Sequence, residues 1–316
     1  MQESYRDALG RVFARIGGDF PSLTVVTADV SKSTRSIQFK NRYPERFFSV
    51  GIAEADAVGI SAGLATWGDP VLFTAYSVFA TEKPFEQIRN MLCYPNLNVK
   101  IVATHGGINT GEDGVTHQAI EDIAIMRALP NMHVLVAADP GEVWPAVKAA
   151  VEMDGPVFVR LGRAVTQVLH DENNTIFIPG KAELLRDGKD VCLMAVGMMV
   201  NESIKAAELL EAKGISASVL NLRSVKPIDV EAITSQAKKT GAVVVSEDHN
   251  RYGGAGGAVA EVLSLYCPVP MEQVALEDTF AESGKSDLLL KKYGLTAEHI
   301  AQKAEKAMER RDSHAR

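Results

Sequence analysis

Short apolar runs alternate with stretches of helical spacing along nearly the whole chain. In the first half, the runs at residues 23–28, 47–50 and 99–103 have the length and the β-branched content of buried strands. Helices are predicted between such runs, where apolar positions recur every three or four residues. Strands that alternate with helices form a mostly parallel sheet with helices on both faces. The other strands predicted in this half are 71–73, 133–137 and 157–161, and the helices are 5–16, 53–67, 84–92, 119–129 and 141–151.

The alternation stops near residue 166 and starts again near residue 182. The segment between contains Asp171-Glu172-Asn173-Asn174 and Pro179-Gly180, which are typical of a linker. Beyond it, strands are predicted at 191–196, 217–222, 242–246 and 271–275, with a terminal helix at 297–308. The sequence therefore predicts an α/β protein of two doubly wound domains with mostly parallel sheets. The predicted domains are residues 1–166 and 182–316, joined by a linker at 167–181, and both have an ordinary domain length.

Composition narrows the classes of function. The net charge is −7, which makes nucleic acid a poor candidate partner. The three cysteines, Cys93, Cys192 and Cys267, lack metal-site or redox spacing, so a reducing compartment is expected. The N-terminus has no signal-peptide pattern, and no apolar run is long enough to cross a bilayer. We therefore expect a cytoplasmic protein that binds neither nucleic acid nor membranes.

One acidic residue, Glu54, follows the predicted strand 47–50 directly and begins the next helix. Its neighbours include Ala53, Ala55 and Ala57, which allow other backbone or a ligand to approach closely. Burial raises the pKa of a carboxyl group, and perturbed carboxyls gather at functional sites. The alternative is that Glu54 only complements the dipole of the helix that it begins. The stretch by itself leaves both interpretations open.

Ligands of open parallel sheets bind at the carboxyl ends of the strands. Four loops of the first half lie there, and one of them, residues 104–118, contains four glycines, two histidines and two acids. Polar side chains on a loop held by a rigid sheet are typical of active sites, and this density disfavours a purely structural loop. The spacing matches no familiar metal motif, so no metal site is predicted here. The other three loops carry Asp29 with Ser33, Gly51 with Glu54, and Arg163.

Several motifs in combination resemble the transketolase family. They are Gly51-Ile52-Ala53-Glu54, the loop from His105 to His117, and Met126-Arg127-Ala128-Leu129-Pro130-Asn131-Met132. The second half adds Glu247-Asp248-His249, a glycine run at 253–257, and Ala281-Glu282-Ser283-Gly284. The resemblance covers nearly the whole chain, but only the C-terminal half of the family's proteins. It implies a pyrimidine-binding domain followed by the transketolase C-terminal domain.

The glycine run at 253–257 also follows a strand and opens a helix, as a dinucleotide-binding fingerprint does. The run lacks the third glycine of G-x-G-x-x-G, because Gly254-Ala255-Gly256 is followed by Gly257-Ala258-Val259. Close packing of the helix on the strand is the better interpretation, and no nucleotide cofactor is predicted.

The resemblance implies thiamine diphosphate as the cofactor, with Mg²⁺ on its diphosphate. Enzymes of this kind bind that metal and the diphosphate through a Gly-Asp-Gly motif, which does not occur in this sequence. The chain therefore resembles the B subunit of a split transketolase, and an N-terminal partner subunit is expected to supply the magnesium ligands. Self-association to a dimer would then give an α2β2 heterotetramer.

The resemblance also implies roles for residues near the cofactor. Glu54 matches the acid that hydrogen-bonds N1′ of the aminopyrimidine, while Tyr76 and Phe79 match aromatic residues that hold that ring. Core packing is the alternative for both rings. Asp29 is expected beside the cofactor. Glu82 stands where transketolases often carry a third aromatic residue.

Further residues are expected to contact the sugar. His105 and His117 match histidines that contact it as charge develops on oxygen. Asp113 matches a residue that orients a substrate hydroxyl. Arg6, Ser33 and Arg163 fall where the family grips the phosphate of a sugar phosphate, and the fork of an arginine suits that group.

The implied activity is transfer of a two-carbon ketol unit between sugar phosphates, as in pentose phosphate metabolism, or between related sulfonated sugars. An activity like that of 1-deoxyxylulose-phosphate synthase is one alternative, disfavoured by the ending His117-Gln118. An activity like that of a 2-oxo-acid dehydrogenase β subunit is another, disfavoured by the loop 112–117. A non-catalytic assembly subunit is the third, disfavoured because Glu54, His105 and Asp113 are all retained.

Overall fold

The computed structural model describes residues 1–314, which form two large sheets flanked by helices and one two-stranded ribbon. The strands, in chain order, are β1 (Gln2–Ser4), β2 (Thr24–Thr27), β3 (Phe47–Ser49), β4 (Val71–Tyr76), β5 (Val99–Thr104), β6 (His133–Val136), β7 (Val157–Arg160), β8 (Val165–Gln167), β9 (Glu183–Arg186), β10 (Val191–Ala195), β11 (Ala217–Asn221), β12 (Ser224–Lys226), β13 (Val243–Asn250) and β14 (Met271–Leu276). The helices are α1 (Tyr5–Asp19), α2 (Ile37–Arg42), α3 (Glu54–Ala65), α4 (Ser77–Thr81), α5 (Phe85–Gln87), α6 (Asp122–Ala128), α7 (Pro140–Glu152), α8 (Met199–Glu211), α9 (Val230–Thr240), α10 (Ala255–Tyr266), α11 (Ser286–Lys292) and α12 (Ala297–His314).

The larger sheet has seven strands in the order β12-β6-β7-β5-β4-β2-β3. All neighbours in it are parallel except β12, which runs antiparallel to β6. The smaller sheet has the order β14-β13-β10-β11-β9, and only β9 is antiparallel to its neighbour. The predicted α/β fold with mostly parallel sheets is confirmed.

The central strands of the larger sheet are buried on both faces, which explains why they are continuous apolar runs rather than alternating ones. All six residues of β5 are buried, including Lys100. The Lys100 ammonium donates hydrogen bonds to the carbonyls of Met153 (2.7 Å) and Gly155 (2.6 Å). Burial lowers the pKa of Lys100 to about 7. Lys100 therefore connects the turn after α7 to a central strand of the sheet by hydrogen bonds.

Several element limits differ from those predicted. The helix expected at 119–129 begins only at Asp122, because Ala119 pairs with Gly106 as an isolated β-bridge and its carbonyl accepts from the amide of Gly107. The helix expected at 84–92 is divided into α5 and a π-helical segment, Ile88–Cys93. The terminal helix continues past 308 to His314. The sequence analysis does not predict the strands β1, β8, β9 and β12, which have only three or four residues and lack a continuous buried apolar run.

The two halves of the chain share a sheet. Strand β12, from the second half, extends the first-half sheet beside β6. Strand β8 pairs with β1 as a separate antiparallel ribbon. The predicted linker 167–181 also has fixed partners, because the backbone amide of Leu169 donates to Asp139. The domain limits of 1–166 and 182–316 stay a prediction, since the structure packs both halves together.

None of the described helices is both long enough and apolar enough to cross a membrane.

Candidate active site

The carboxyl ends of four adjacent strands carry the predicted site residues. Asp29 follows β2, Glu54 follows β3, Tyr76 ends β4 and His105 follows β5. These strands are neighbours in the sheet and run parallel, so their ends lie at one edge. The expectation that these loops meet is therefore realised by the topology of the sheet.

Glu54 is the first residue of α3, and it is only 4% exposed. The small neighbours of Glu54 thus do pack closely enough to exclude water from its carboxylate. Its carboxylate forms an ion pair with the ammonium of Lys83, whose side chain is half exposed. Lys83 lies in the turn between α4 and α5, and sequence reasoning missed it because 29 positions separate it from Glu54.

Four rings form an aromatic cluster beside this carboxylate. Tyr76 stacks on the imidazole of His105, with the centroids 3.9 Å apart, and on Phe79 at 5.9 Å. The ring of His117 meets Phe79 edge-on at 5.1 Å. The Lys83 ammonium lies 5.4 Å from the centroid of Phe79, which connects the cluster to Glu54. The structure thus brings together all four rings that the resemblance assigned to the site.

His105 is held in an unusual conformation at the end of β5. Its φ is +65°, and backbone strain of this kind in a residue other than glycine clusters at functional sites. Its Nδ1 lies 2.8 Å from the hydroxyl of Thr104, which orients the ring. Burial lowers the pKa of His105 to about 3, with a further contribution from the positive charges of Arg163, Arg6 and His117. His105 is therefore a neutral hydrogen-bonding group at physiological pH.

Asp113 and Arg163 lie next to His105. The Asp113 carboxylate is 3.8 Å from Nε2 of His105 and 3.7 Å from Nε of Arg163. Arg163 also donates from Nη1 to the carbonyl of Thr110 at 2.9 Å. Within residues 1–314, its buried Nε has no hydrogen-bond partner. A guanidinium N–H that makes no hydrogen bond can donate one to an anionic ligand, which would compete with the nearby Asp113 carboxylate.

Arg6 and Ser33 are adjacent, because Nε of Arg6 donates to the carbonyl of Ser33 at 2.9 Å. Asp29 is exposed on the same edge with φ at +58°. Its side chain makes no hydrogen bond or ion pair with any other residue that the structure describes. The structure therefore places Asp29 at the edge without joining it to the cluster.

The second half of the chain supports the loop that carries His105 and Asp113. The buried carboxylate of Asp248 accepts hydrogen bonds from the amide of Ile108 at 2.9 Å and from Nδ2 of Asn109 at 2.9 Å. Gly107 has φ +82°, and a Cβ there would lie 2.0 Å from Asp248, so only glycine fits. Asp248 belongs to the motif 247–249, which explains why that motif accompanies the loop.

The segment 281–284 supports the same loop from its other side. The hydroxyl of Ser283 donates to the carbonyl of Glu112 at 2.6 Å, and Nε2 of Gln118 donates to the carbonyl of Glu282 at 3.0 Å. The motifs at 247–249 and 281–284 therefore act on the site by positioning its loop.

A buried ion pair fixes the helix that carries Phe79. Asp122, at the start of α6, accepts from Nε of Arg160 at 2.8 Å and from the hydroxyl of Ser77 at 2.6 Å. Ser77 begins α4, so this carboxylate connects α4, α6 and β7 beneath the rings. Sequence reasoning missed Asp122, Arg160 and Ser77. Asp122 lies 38 positions from Arg160 and 45 from Ser77, and nothing in the sequence pairs residues so far apart.

The glycine run at 253–257 packs against Glu247. The carboxylate of Glu247 accepts from the amides of Ala255 at 2.7 Å and Gly256 at 2.9 Å, at the start of α10. A Cβ on Gly254 would lie 2.1 Å from Glu247. The prediction of close helix-on-strand packing is confirmed.

Among the described residues, one cluster has ligands suited to a metal: Asp139, Glu142 and His170. The side chains of this cluster already form hydrogen bonds and ion pairs with one another and with neighbouring residues. His170 Nδ1 lies 2.5 Å from Asp139, and the guanidinium of Arg223 is 2.8 Å from Glu142. A cation in the cluster would have to displace the charge of Arg223, so these residues form an ion-pair network between the two halves.

Comparisons with known proteins match two families in succession. The family described as "Transketolase, pyrimidine binding domain" matches residues 2–167, and "Transketolase, C-terminal domain" matches residues 180–300.

Individual relatives agree with these matches. A solved structure described as a split-gene transketolase, inactive beta4 tetramer, superposes with a TM-score of 0.89 at 44% identity, over 98% of this chain and 99% of that one. The 6-deoxy-6-sulfo-D-fructose transketolase subunit SqwH of Clostridium sp. (strain MSTE9) is 40% identical over 92% of this chain and 90% of its own length. The 1-deoxy-D-xylulose-5-phosphate synthase of Desulforudis audaxviator is 37% identical over 98% of this chain, which spans 49% of that synthase.

Proposed function

We propose that this chain, which belongs to the transketolase family, supplies the pyrimidine-binding half of a split, thiamine-diphosphate-dependent transketolase. Its activity would be transfer of a two-carbon ketol unit from a ketose phosphate, or a related anionic ketose, to an aldose phosphate. The observation that carries the proposal is the buried carboxylate of Glu54, which lies at the same sheet edge as the ring cluster. The transketolase family generally depends on thiamine diphosphate.

The residues present fit the pyrimidine part of that cofactor. Phe79 and Tyr76 offer flat apolar faces to an aromatic ring, and Glu54 offers a water-excluded carboxylate to a ring nitrogen. When bound, the cofactor supplies the carbon nucleophile on which the two-carbon unit is carried. Glu54 would hold a proton at the pyrimidine N1′, and burial makes such a hydrogen bond stronger than it would be in water.

The remaining polar groups fit a sugar with an anionic end. Neutral His105 can donate or accept a hydrogen bond without adding charge, and Asp113 lies 3.8 Å from it to orient a hydroxyl. Arg163 Nε makes no hydrogen bond within the described residues and lies 3.7 Å from the Asp113 carboxylate, so its N–H can donate to a phosphate or sulfonate oxygen that takes the place of that carboxylate. Arg6 and Ser33 would bind the same anion from the neighbouring strand end. A phosphorylated and a sulfonated ketose present similar anionic oxygens, so these groups fit either one.

The diphosphate and its Mg²⁺ require a second chain. The sequence lacks Gly-Asp-Gly, and the metal-suited cluster found in residues 1–314 is closed by Arg223. Mg²⁺ usually takes one or two carboxylates together with phosphate oxygens and waters. We therefore assign these ligands to an N-terminal transketolase subunit, with the active site formed across the interface.

The outer face of α3 is suited to an interface with a protein chain. Ile52 is 79% exposed just before the helix, and Tyr94 is 87% exposed just after the adjacent π-helical segment. Gly63 lies on α3 with open space where a Cβ would be, so another backbone can approach closely. The solved relative is a beta4 tetramer described as inactive, which supports both self-association and dependence on a partner. Closed symmetry favours an α2β2 heterotetramer. We also propose that the protein is located in the cytoplasm.

A synthase-like activity is the second candidate, because the chain is 37% identical to a 1-deoxy-D-xylulose-5-phosphate synthase. The two activities differ in their donor: a ketose phosphate in the first case, and in the second a 2-oxo acid whose carboxyl group leaves as carbon dioxide while the remaining acyl unit is transferred. The test is to co-purify this chain with its N-terminal partner and supply one aldose phosphate with either donor. Ketol transfer from the ketose phosphate supports the proposal. Carbon dioxide release from pyruvate without ketol transfer supports the synthase-like activity. The absence of both reactions would support a non-catalytic assembly subunit.

A further inference from the structure

The Glu54 carboxylate already has a cationic partner within its own chain. The ammonium of Lys83 forms an ion pair with it, although the Glu54 side chain is 5% exposed and that of Lys83 is 49% exposed. Among residues 1–314, this is the only hydrogen bond or ion pair that the Glu54 side chain makes. A buried carboxylate without a partner is strongly unfavourable, so Lys83 provides the compensation that allows Glu54 to be buried.

Lys83 also covers the aromatic wall of the site. Its ammonium lies 5.4 Å from the centroid of Phe79 while it contacts Glu54. Those two residues are the ones that the proposed function assigns to the ring and the nitrogen of the pyrimidine. A ring that stacks on Phe79 and bonds to Glu54 would therefore compete with the Lys83 ammonium for the same two residues.

The position of Lys83 allows such a displacement. It lies in the turn between α4 and α5, and half of its side chain is in solvent. A lysine has a flexible stem of four carbons, so the ammonium can move into water while the backbone of the turn stays in place. Glu54 cannot move in the same way, because α3 holds it against the sheet.

We propose that Lys83 is an internal placeholder for the cofactor, which neutralises Glu54 in the free subunit and leaves it when the pyrimidine binds. This inference rests on the proposed function. Lys83 is then a positioning residue whose ion pair opposes cofactor binding and stabilises the empty subunit.

Two effects of opposite sign are expected for K83M. In the isolated chain the unfolding equilibrium constant should rise roughly tenfold, because Glu54 is left buried without a partner. In the assembled complex the dissociation constant of thiamine diphosphate with Mg²⁺ should fall by a similar roughly tenfold factor, because no ion pair has to be broken. The two factors should be equal in size if Lys83 makes no contact in the complex that holds the cofactor.

The first measurement is a double-mutant cycle by chemical denaturation of the isolated chain. We expect K83M to destabilise the chain that contains Glu54 and to have little effect in the E54Q background. K83R, which keeps the charge, should retain most of the stability. The matched control is K148M, since Lys148 forms an exposed pair with Glu152 on α7. Equal effects of K83M in both backgrounds would overturn the inference.

The second measurement is calorimetric titration of thiamine diphosphate and Mg²⁺ into the assembled complex. Tighter binding to the K83M complex, with K148M unchanged, supports the placeholder. Unchanged or weaker binding to K83M overturns it, and weaker binding would make Lys83 a cofactor ligand instead. If the unmodified complex binds no cofactor, the proposed function fails, whereas the denaturation cycle still decides whether Lys83 compensates Glu54.

Discussion

Tyr76 and His105 stack with their ring centroids 3.9 Å apart at the ends of neighbouring strands. The register of β4 and β5 produces this contact, because Tyr76 lies opposite Thr104, the residue before His105. The left-handed backbone of His105 then turns its imidazole toward the tyrosine. A ring that could belong to the core and a histidine that could be a surface residue thus become one wall of the candidate site.

Glu54→Gln should leave the assembled enzyme folded and slow the exchange of the cofactor's C2 proton. Glutamine keeps the shape of the side chain but cannot hold the proton at N1′ in the same way. General acid–base groups contribute ~10²–10⁴-fold. The measurement is hydrogen–deuterium exchange at C2, with the exposed Glu152→Gln as the control. An unchanged exchange rate in the E54Q enzyme would show that Glu54 has another role.

Arg163→Ala should raise the KM of phosphorylated or sulfonated substrates much more than that of uncharged sugars. Hydrogen bonds to charged groups are worth roughly 1.5–3 kcal/mol, which corresponds to about ten- to hundredfold in KM. Arg186→Ala is a suitable control, because Arg186 pairs with Glu211 in the second half. Steady-state kinetics with matched charged and uncharged acceptors provide the test. Similar losses for both acceptors would assign Arg163 to supporting the loop through Thr110.

The isolated chain should bind thiamine diphosphate weakly and turn over no sugar phosphate. Its described residues offer the pyrimidine a wall and a carboxylate, but they offer the diphosphate and Mg²⁺ no ligand set. Calorimetric titration into the pure chain, and then into its mixture with the N-terminal subunit, measures this difference. Tight, magnesium-dependent binding to the pure chain would contradict the split active site.

His170 should make the stability of the chain depend on pH. Burial by itself lowers the pKa of His170, but the hydrogen bond to Asp139 and the charge of Glu142 outweigh it, so the net pKa is raised. The folded state then holds the proton more tightly than the unfolded state, whose histidine has a pKa of about 6.5. The stabilisation is complete below that pH and is lost as the pH rises through the raised pKa.

The measurement for His170 compares the free energy of unfolding of the wild type and of His170→Gln across that range. The charges of Glu183 and Arg223 also face this imidazole. Because salt screens such charges, the ionic strength is held constant across the pH range. We expect the difference between the two proteins to be larger at about pH 6 than at about pH 8.5. His299→Gln, on α12, is the control. A difference that is the same at both pH values would mean that His170 contributes only packing.

The sequence by itself determined the class of fold and the edge at which the site forms. Runs such as 23–28 and 99–103 are mostly apolar, without strict alternation, because their strands are buried on both faces. Parallel strands all end at the same edge, so polar residues after those runs, including Glu54 and His105, could be assigned to one site. Motifs and loops are local features of the chain. For that reason the sequence was enough to identify the family and to find the loops of the site.

Only the tertiary structure decided which distant residues became partners. Lys83 reaches Glu54, Asp248 holds the loop of His105, and strand β12 of the second half completes the first sheet. The first two of these contacts join residues that lie 29 and 140 positions apart. Hydrophobic periodicity reports which face of an element is buried, but not which element covers it. The partner of a buried charge depends on that packing, so it appears only when the chain is folded.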